Sequence, residues 1–261
     1  MESTQLLIRN QDKISRILAR IDEESETPEL ITQLIFSDST DKNTERQCLF
    51  SLLRSGIRYA CFLDKYRETG ESIYHEEALR QREYIFSSVP PENQYLLENV
   101  EKKILPFWDY EKQIQKRIDK DDVFREEEVK EYIRFRASDS FFYCAIADVF
   151  RPFSPEMIGL FHNRLILSDI MDSINDYEED LREHHPNMLI MYLLNYVSID
   201  EMPASLQQAL NLACQFKINS KIHIFGRELY YQSLKSEHMD SMPLLRKDFD
   251  TKYFMISELL Y

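Results

Sequence analysis

Six acids, Asp169, Asp172, Asp176, Glu179, Asp180 and Glu183, crowd into one short segment of this chain. At about 100° per helical residue they fall within an arc of roughly 100°, with Leu167, Ile170, Ile174, Tyr177 and Leu181 on the other side. Like charges one turn apart cost a helix a few tenths of a kcal/mol per pair, and no Lys or Arg lies within the stripe to relieve them. A divalent cation held by carboxylate oxygens is the natural partner for such a run. An ordinary solvated face would also carry acids opposite apolar residues. What distinguishes this one is its start, because Ile158, Phe161 and Leu165 occupy the sector that the acids take over from Asp169 onwards. A cavity with an apolar interior and an acidic mouth would be lined in that order.

A second stretch repeats the organisation. Phe50, Leu53, Ile57, Ala60 and Cys61 form one apolar stripe that runs on into Asp64 and Glu68, with Glu71 just past Gly70. Lys65 and Arg67 flank these acids, and an Asp and a Glu one turn apart are common on helix surfaces, so the stretch gains weight only from its pairing with the first.

These stripes need helices to carry them, and the composition provides for little else. Only four Gly and nine Pro interrupt 261 residues, and the segments between them are rich in helix-forming residues at helical spacing. Helices are predicted over 4–22, 28–37, 42–69, 73–87, 92–119, 125–150, 155–183, 187–196, 203–233 and 242–260. Gly70, the Pro90-Pro91 pair, Arg151-Pro152 and Ser154-Pro155 mark boundaries, with Ser154 as a cap and Pro155 as the first helical residue. No Pro/Gly/Ser-rich linker divides the chain, so one all-α domain, a helical bundle over residues 1–261, is expected.

With 46 acidic residues against 32 basic ones the formal net charge is −14, which argues against general affinity for nucleic acid and against docking on anionic lipid by charge alone. Cys48, Cys61, Cys144 and Cys214 lie far apart without C-x-x-C spacing and read as core thiols of a cytoplasmic protein. The polar start MESTQLLIRNQDK has no signal-peptide core, and no apolar run reaches the length of a membrane span, so no stable membrane insertion is expected.

The residues Asp172, Asp176, Glu179 and Asp180, spaced D-x-x-x-D-x-x-E-D, resemble the second acidic motif of the class I isoprenoid synthases. The likeness is to squalene and phytoene synthases and, more closely, to the bacterial large terpene synthases. The segment SDSFFYCAIADVF, Ser138 to Phe150, followed by Gly159-Leu160 and the acidic helix, is similar in order. The resemblance covers about residues 130–190, with a weaker echo at 50–71. It departs from the family at Asp64 and Glu68, a thinner first motif than DDxxD or DxxxD.

The resemblance implies a bundle of the isoprenoid synthase type around a central apolar cavity, and a Mg²⁺-dependent, terpene synthase-like enzyme. Such an enzyme ionises a linear prenyl diphosphate, releases diphosphate, and completes the reaction by elimination or cyclisation. Alternatives are a prenyl transferase, including head-to-head condensation, and a non-catalytic helical protein that binds a lipid or isoprenoid. A homodimer is left open. The implied metal ligands are Asp64, Glu68, Asp172, Asp176, Glu179 and Asp180, with Asp172, Asp176 and Asp180 central to catalysis. Asp64 and Glu68 are expected to face Asp172, Asp176 and Asp180 across a cavity mouth. Positive charge for the diphosphate is expected from Arg134, Arg136, Arg246, Lys247 and Lys252 with Tyr253. Phe141, Phe142, Tyr143 and Phe161 are candidates for cation–π stabilisation, or simply core residues. His184 and His185, before Pro186, read as a helix end rather than as metal ligands.

Overall fold

A computed structural model describes residues 13–22, 26–36, 43–183, 185–195 and 204–260, without the side chains of Glu68, Trp108 and residues 204–216. Residues 13–22 are helical. The remaining helices are α1 (Thr27–Phe36), α2 (Asn43–Thr69), α3 (Ser72–Ser88), α4 (Pro91–Ile118), α5 (Glu126–Arg136) and α6 (Asp139–Asp148). They continue with α7 (Pro155–Asn175), α8 (Tyr177–Glu183), α9 (Met188–Leu193), α10 (Ala204–Leu234), α11 (Glu237–Ser241) and α12 (Pro243–Leu260). The described residues contain no strand, as the all-α composition requires. None of the described helices is long and apolar enough to cross a membrane.

The chain forms two compact units, Met1–Lys102 with Phe141–Phe153, and Lys103–Ser140 with Ser154–Tyr261. In the first, α2 and α3 make a helical hairpin. Gly70 turns it with φ 71°, a left-handed conformation that only glycine adopts without strain, and its N–H donates to Tyr66 O at 2.7 Å. Leu49, Leu52, Leu53 and Phe62 of α2 are at most 1% exposed, and Phe62 stacks on Tyr74 of α3 with ring centroids 6.3 Å apart. Gly56 lets α6 come close, since a methyl group there would lie 3.0 Å from Ile146 Cδ1. Phe142 and Tyr143 are buried in this unit, Phe142 beside Tyr59, so both serve as core.

The second unit is organised by α7, which packs on α5, α8, α9, α10 and α12. Arg164 of α7, 3% exposed, donates from Nε to Asp248 Oδ2 of α12 at 2.8 Å, fixing one helix against the other by a charged bond as well as by apolar packing.

Two predicted helices are each divided. The segment 125–150 breaks at Ala137-Ser138, where Ser138, Asp139 and Ser140 offer side-chain bonds that compete with the helix; Ser140 Oγ donates to Ala137 O at 2.8 Å. The segment 155–183 breaks at Asp176, which ends α7 with φ −92° and ψ 0°. Asn and Asp are weak helix formers, and Asn175-Asp176 sits among like charges one turn apart. The C-terminal prediction over 242–260 matches α12, which starts at Pro243, whereas the short α11 before it was not predicted. Of the cysteines with described side chains only Cys144 is buried; Cys48 is exposed and Cys61 half-buried, and none of the three forms a disulfide. The reading of all four as core thiols is therefore corrected, because Cys48 lies on the solvent side of α2. The Cys214 side chain lies outside the described residues, as do the first residues of the helix predicted over 4–22.

The first unit buries one polar network. Tyr59 Oη donates to Glu101 Oε1 at 2.7 Å, and Arg82 grips both Glu101 oxygens at 2.7 Å. Burial, then the bond to Glu101, drives the Tyr59 hydroxyl far above its ordinary pKa. Tyr59→Phe should cost about 1.5 kcal/mol, the low end for a bond to a charged group because Arg82 still pairs the carboxylate. Urea denaturation should show a lower midpoint at an unchanged slope.

Candidate functional site

The acidic face of α7 begins inside the protein. Phe161 is 3% exposed and Asp169, two turns on, is 9% exposed, whereas Asp172 and Asp176 are exposed. The change from apolar to acidic along α7 is present, with its first acid buried and the next two at the surface.

Arg136 of α5 answers the buried acid, with Nε 4.0 Å from Asp169 Oδ1. Asp169 Oδ2 is buried and has no hydrogen-bond partner among the described residues. Burial lifts the Asp169 carboxyl well above its ordinary pKa; Arg136 pulls it down, and Asp172, Asp139 and Glu111 push it up again. Burial opposes the charge of Arg136, but Tyr132, Asp169, Glu111 and Asp172 outweigh it and hold the guanidinium protonated. Tyr132 is 2% exposed, and its hydroxyl donates to Pro186 O at 2.9 Å and lies 3.2 Å from Glu111 Oε1. Several carboxylates thus surround one guanidinium, an excess of negative charge at the inner end of the stripe.

Beyond Asp176 the stripe does not continue as one helix face. Glu179 and Glu183 are exposed on α8, and Asp180 is turned to a structural task. Asn187, fully buried, donates from Nδ2 to Asp180 Oδ2 at 2.7 Å and to Ser173 O at 2.9 Å, while its Oδ1 caps α9 by accepting from Leu189 N at 2.8 Å. One side chain therefore ties α7, α8 and α9 together. Periodicity alone does not reveal this role, although an Asn followed by an apolar run after Pro186 carries an N-cap signature. His185, half-exposed, has Nδ1 3.7 Å from Asp180 Oδ1; His184 lies outside the described residues.

Most of the other candidates have partners within their own units. Asp64 belongs to the first unit, its side chain 42% exposed with Arg67 Nη1 at 3.9 Å, and the Glu68 side chain lies outside the described residues. Arg134 and Arg136 do not form one grip. Two residues apart on a helix they point about 200° from one another, Arg136 towards Asp169 and Arg134 over the Phe225 ring at 5.4 Å. On α12, Arg246 bonds Asp250 at 3.2 Å, Lys252 lies 3.8 Å from Asp248, and Tyr253 stacks on Tyr230 with centroids 4.4 Å apart. Lys247 is exposed. The structure brings Asp169, Asp172 and Arg136 together; among the described residues no three His, Cys, Asp or Glu side chains are grouped as a metal cage.

Two expectations follow. With its pKa raised in the fold, Asp169 holds its proton more tightly there than in the unfolded chain, so its contribution is present at low pH and is lost as pH rises above about 4. Asp169→Asn, which keeps the shape without the charge, should raise Tm at pH 7 and flatten that decline in a pH series of melts. Asn187→Ala removes a cap and a bond to a charged acceptor, and should cost roughly 2–4 kcal/mol by chemical denaturation.

The chain matches no family model, no curated protein and no solved structure.

Proposed function

We propose that the protein is a Mg²⁺-dependent, terpene synthase-like enzyme that ionises a linear prenyl diphosphate, releases diphosphate, and completes the reaction by elimination or cyclisation. The observation that carries this reading is α7 itself: one helix leads from buried Phe161 to buried Asp169 and out to Asp172 and Asp176, with Arg136 beside it. An amphiphilic substrate with an apolar tail and a multiply charged head asks for that succession.

The fit to Mg²⁺ rests on the donors. The ion keeps several waters and is usually held by one or two carboxylates together with phosphate oxygens, so a full protein cage is not required. Asp172 and Asp176, exposed and one turn apart, would hold it, with Asp169 behind them. Bound there, it supplies charge neutralisation to the departing diphosphate. Arg136, a third exposed, adds a fixed positive charge that its acidic neighbours keep protonated. Ile158, Phe161 and Leu165, the apolar stripe that precedes the acids on α7, would face the tail and exclude water from a reactive cation. Asp64 and Glu68 belong to the other unit, and this reading rests on α7 without them.

A second reading is a non-catalytic helical protein that binds a lipid or isoprenoid. It is favoured by the engagement of Asp180 with Asn187, which withdraws one of the expected metal ligands. Turnover separates the two. Incubation with prenyl diphosphates of several lengths and Mg²⁺ should release diphosphate and hydrocarbon together. Asp176→Asn should lower kcat by at least about a hundredfold with the fold intact, whereas Glu178→Gln, exposed on α8, should be nearly silent. Wild-type turnover by Asp176→Asn would show that the acidic run is not the metal site. Binding of prenyl chains without diphosphate release by the wild type would establish the second reading.

A further inference from the structure

The face of α5 opposite Arg136 carries a different chemistry. Lys130 and Arg134, one turn apart, lie over the same Phe225 ring, with Nζ and Cζ 5.7 and 5.4 Å from its centroid. Lys221 of α10 lies over Tyr192 at 5.4 Å. Both rings are buried, Phe225 1% and Tyr192 0% exposed, so these cations rest on a firm apolar floor instead of moving in solvent. All belong to the second unit.

Among the described residues their counterions are Glu126 and Glu127. One Glu126 carboxylate serves both lysines, Oε1 at 3.0 Å from Lys130 and Oε2 at 2.8 Å from Lys221. Those two bonds, Lys221's before Lys130's, hold the Glu126 carboxyl below its ordinary pKa. Glu127 approaches Lys130 only to 3.9 Å and is 81% exposed. Arg134, exposed beside Lys130, adds a third positive charge. The chain's net charge of −14 repels an approaching anion, and these three cations oppose that field locally. Lys130 is only 14% exposed on its side chain, which sequesters its ammonium in the direction of Glu126. Stable surface helices do not need such an arrangement, since exposed pairs contribute only a few tenths of a kcal/mol.

We propose that Lys130, Arg134 and Lys221 form a metal-independent binding site for a compact phosphate-bearing anion, which displaces Glu126 as the counterion of the two lysines. The guanidinium offers paired N–H donors to phosphate oxygens, the two ammonium groups neutralise its charge, and Glu126 acts as an internal competitor that sets the affinity. The site does not involve the acidic face of α7 and needs no Mg²⁺, so it stands or falls apart from the enzymatic reading.

The test is titration of the full chain with inorganic phosphate and with inorganic diphosphate, in EDTA and at fixed ionic strength, followed by calorimetry and by Tm. The wild type should bind saturably at millimolar concentrations. Arg134→Gln should weaken binding by about tenfold, and Glu126→Gln should tighten it severalfold by removing the competitor, although the latter loses two ion pairs and should melt no higher without ligand. Lys235→Gln, exposed at the end of α10, removes the same charge elsewhere and should leave affinity unchanged. Opposite effects of Arg134→Gln and Glu126→Gln are what a structural role for these pairs does not produce. Absence of saturable binding in the wild type, or equal affinity in Arg134→Gln, Glu126→Gln and Lys235→Gln, would overturn the proposal.

Discussion

The second unit depends on how α7 buries an acid. This helix packs on α5, α8, α9, α10 and α12, and at Asp169 one of its faces turns from apolar to charged while still nine-tenths covered. Taking a carboxylate and a guanidinium out of water costs several kcal/mol per ion, and a contact of 4.0 Å with one carboxylate oxygen left unpartnered among the described residues returns only part of it. The pair is therefore poor evidence for stability. A hydrophobic residue at 169 would pack there at lower cost.

Around that point the chain is arranged to present acids rather than to hide them. The break at Asp176 ends α7 within the acidic run, and Asn187 then closes α8 and α9 back on α7 through Asp180 and Ser173 O. The result fixes the backbone on both sides of Asp172 and Asp176, two exposed residues. Rigid elements lower the ordering cost of any binding at their surface. The opposite face of α5 shows the reverse polarity, so one short helix separates a cationic patch from an acidic one by a rotation of about 200° between Arg134 and Arg136.

Much of the helical framework was legible in the sequence. The predicted boundaries of α2, α3, α4 and α10 agree with the structure within about two residues, because long amphipathic runs ended by Gly70, Pro90-Pro91 or a polar cap leave few alternatives. The breaks at Ala137-Ser138 and Asp176 were not, since periodicity continues across them and the competing side-chain bonds are individually weak. The apolar-to-acidic order on α7 could be read; which acid would be buried could not, because that depends on α5 supplying Arg136 from 33 positions away. Spacing also could not separate cations available to a ligand from those already paired. Arg246 and Lys252 find Asp250 and Asp248 one turn away on the same helix, a pattern present in the sequence, whereas the pairing of Lys221 with Glu126 is visible only once α5 and α10 are in place.

In the proposed function the carboxylates at the end of α7 take up Mg²⁺ together with a diphosphate group. A ligand that binds only the folded state raises Tm, and two ligands that share a site raise it together by more than the sum of their separate effects. Thermal melts with Mg²⁺ alone, diphosphate alone and both at millimolar concentration measure this synergy directly. The account predicts a supra-additive rise that Asp172→Asn diminishes, while additive shifts, or no shift with both present, would contradict it.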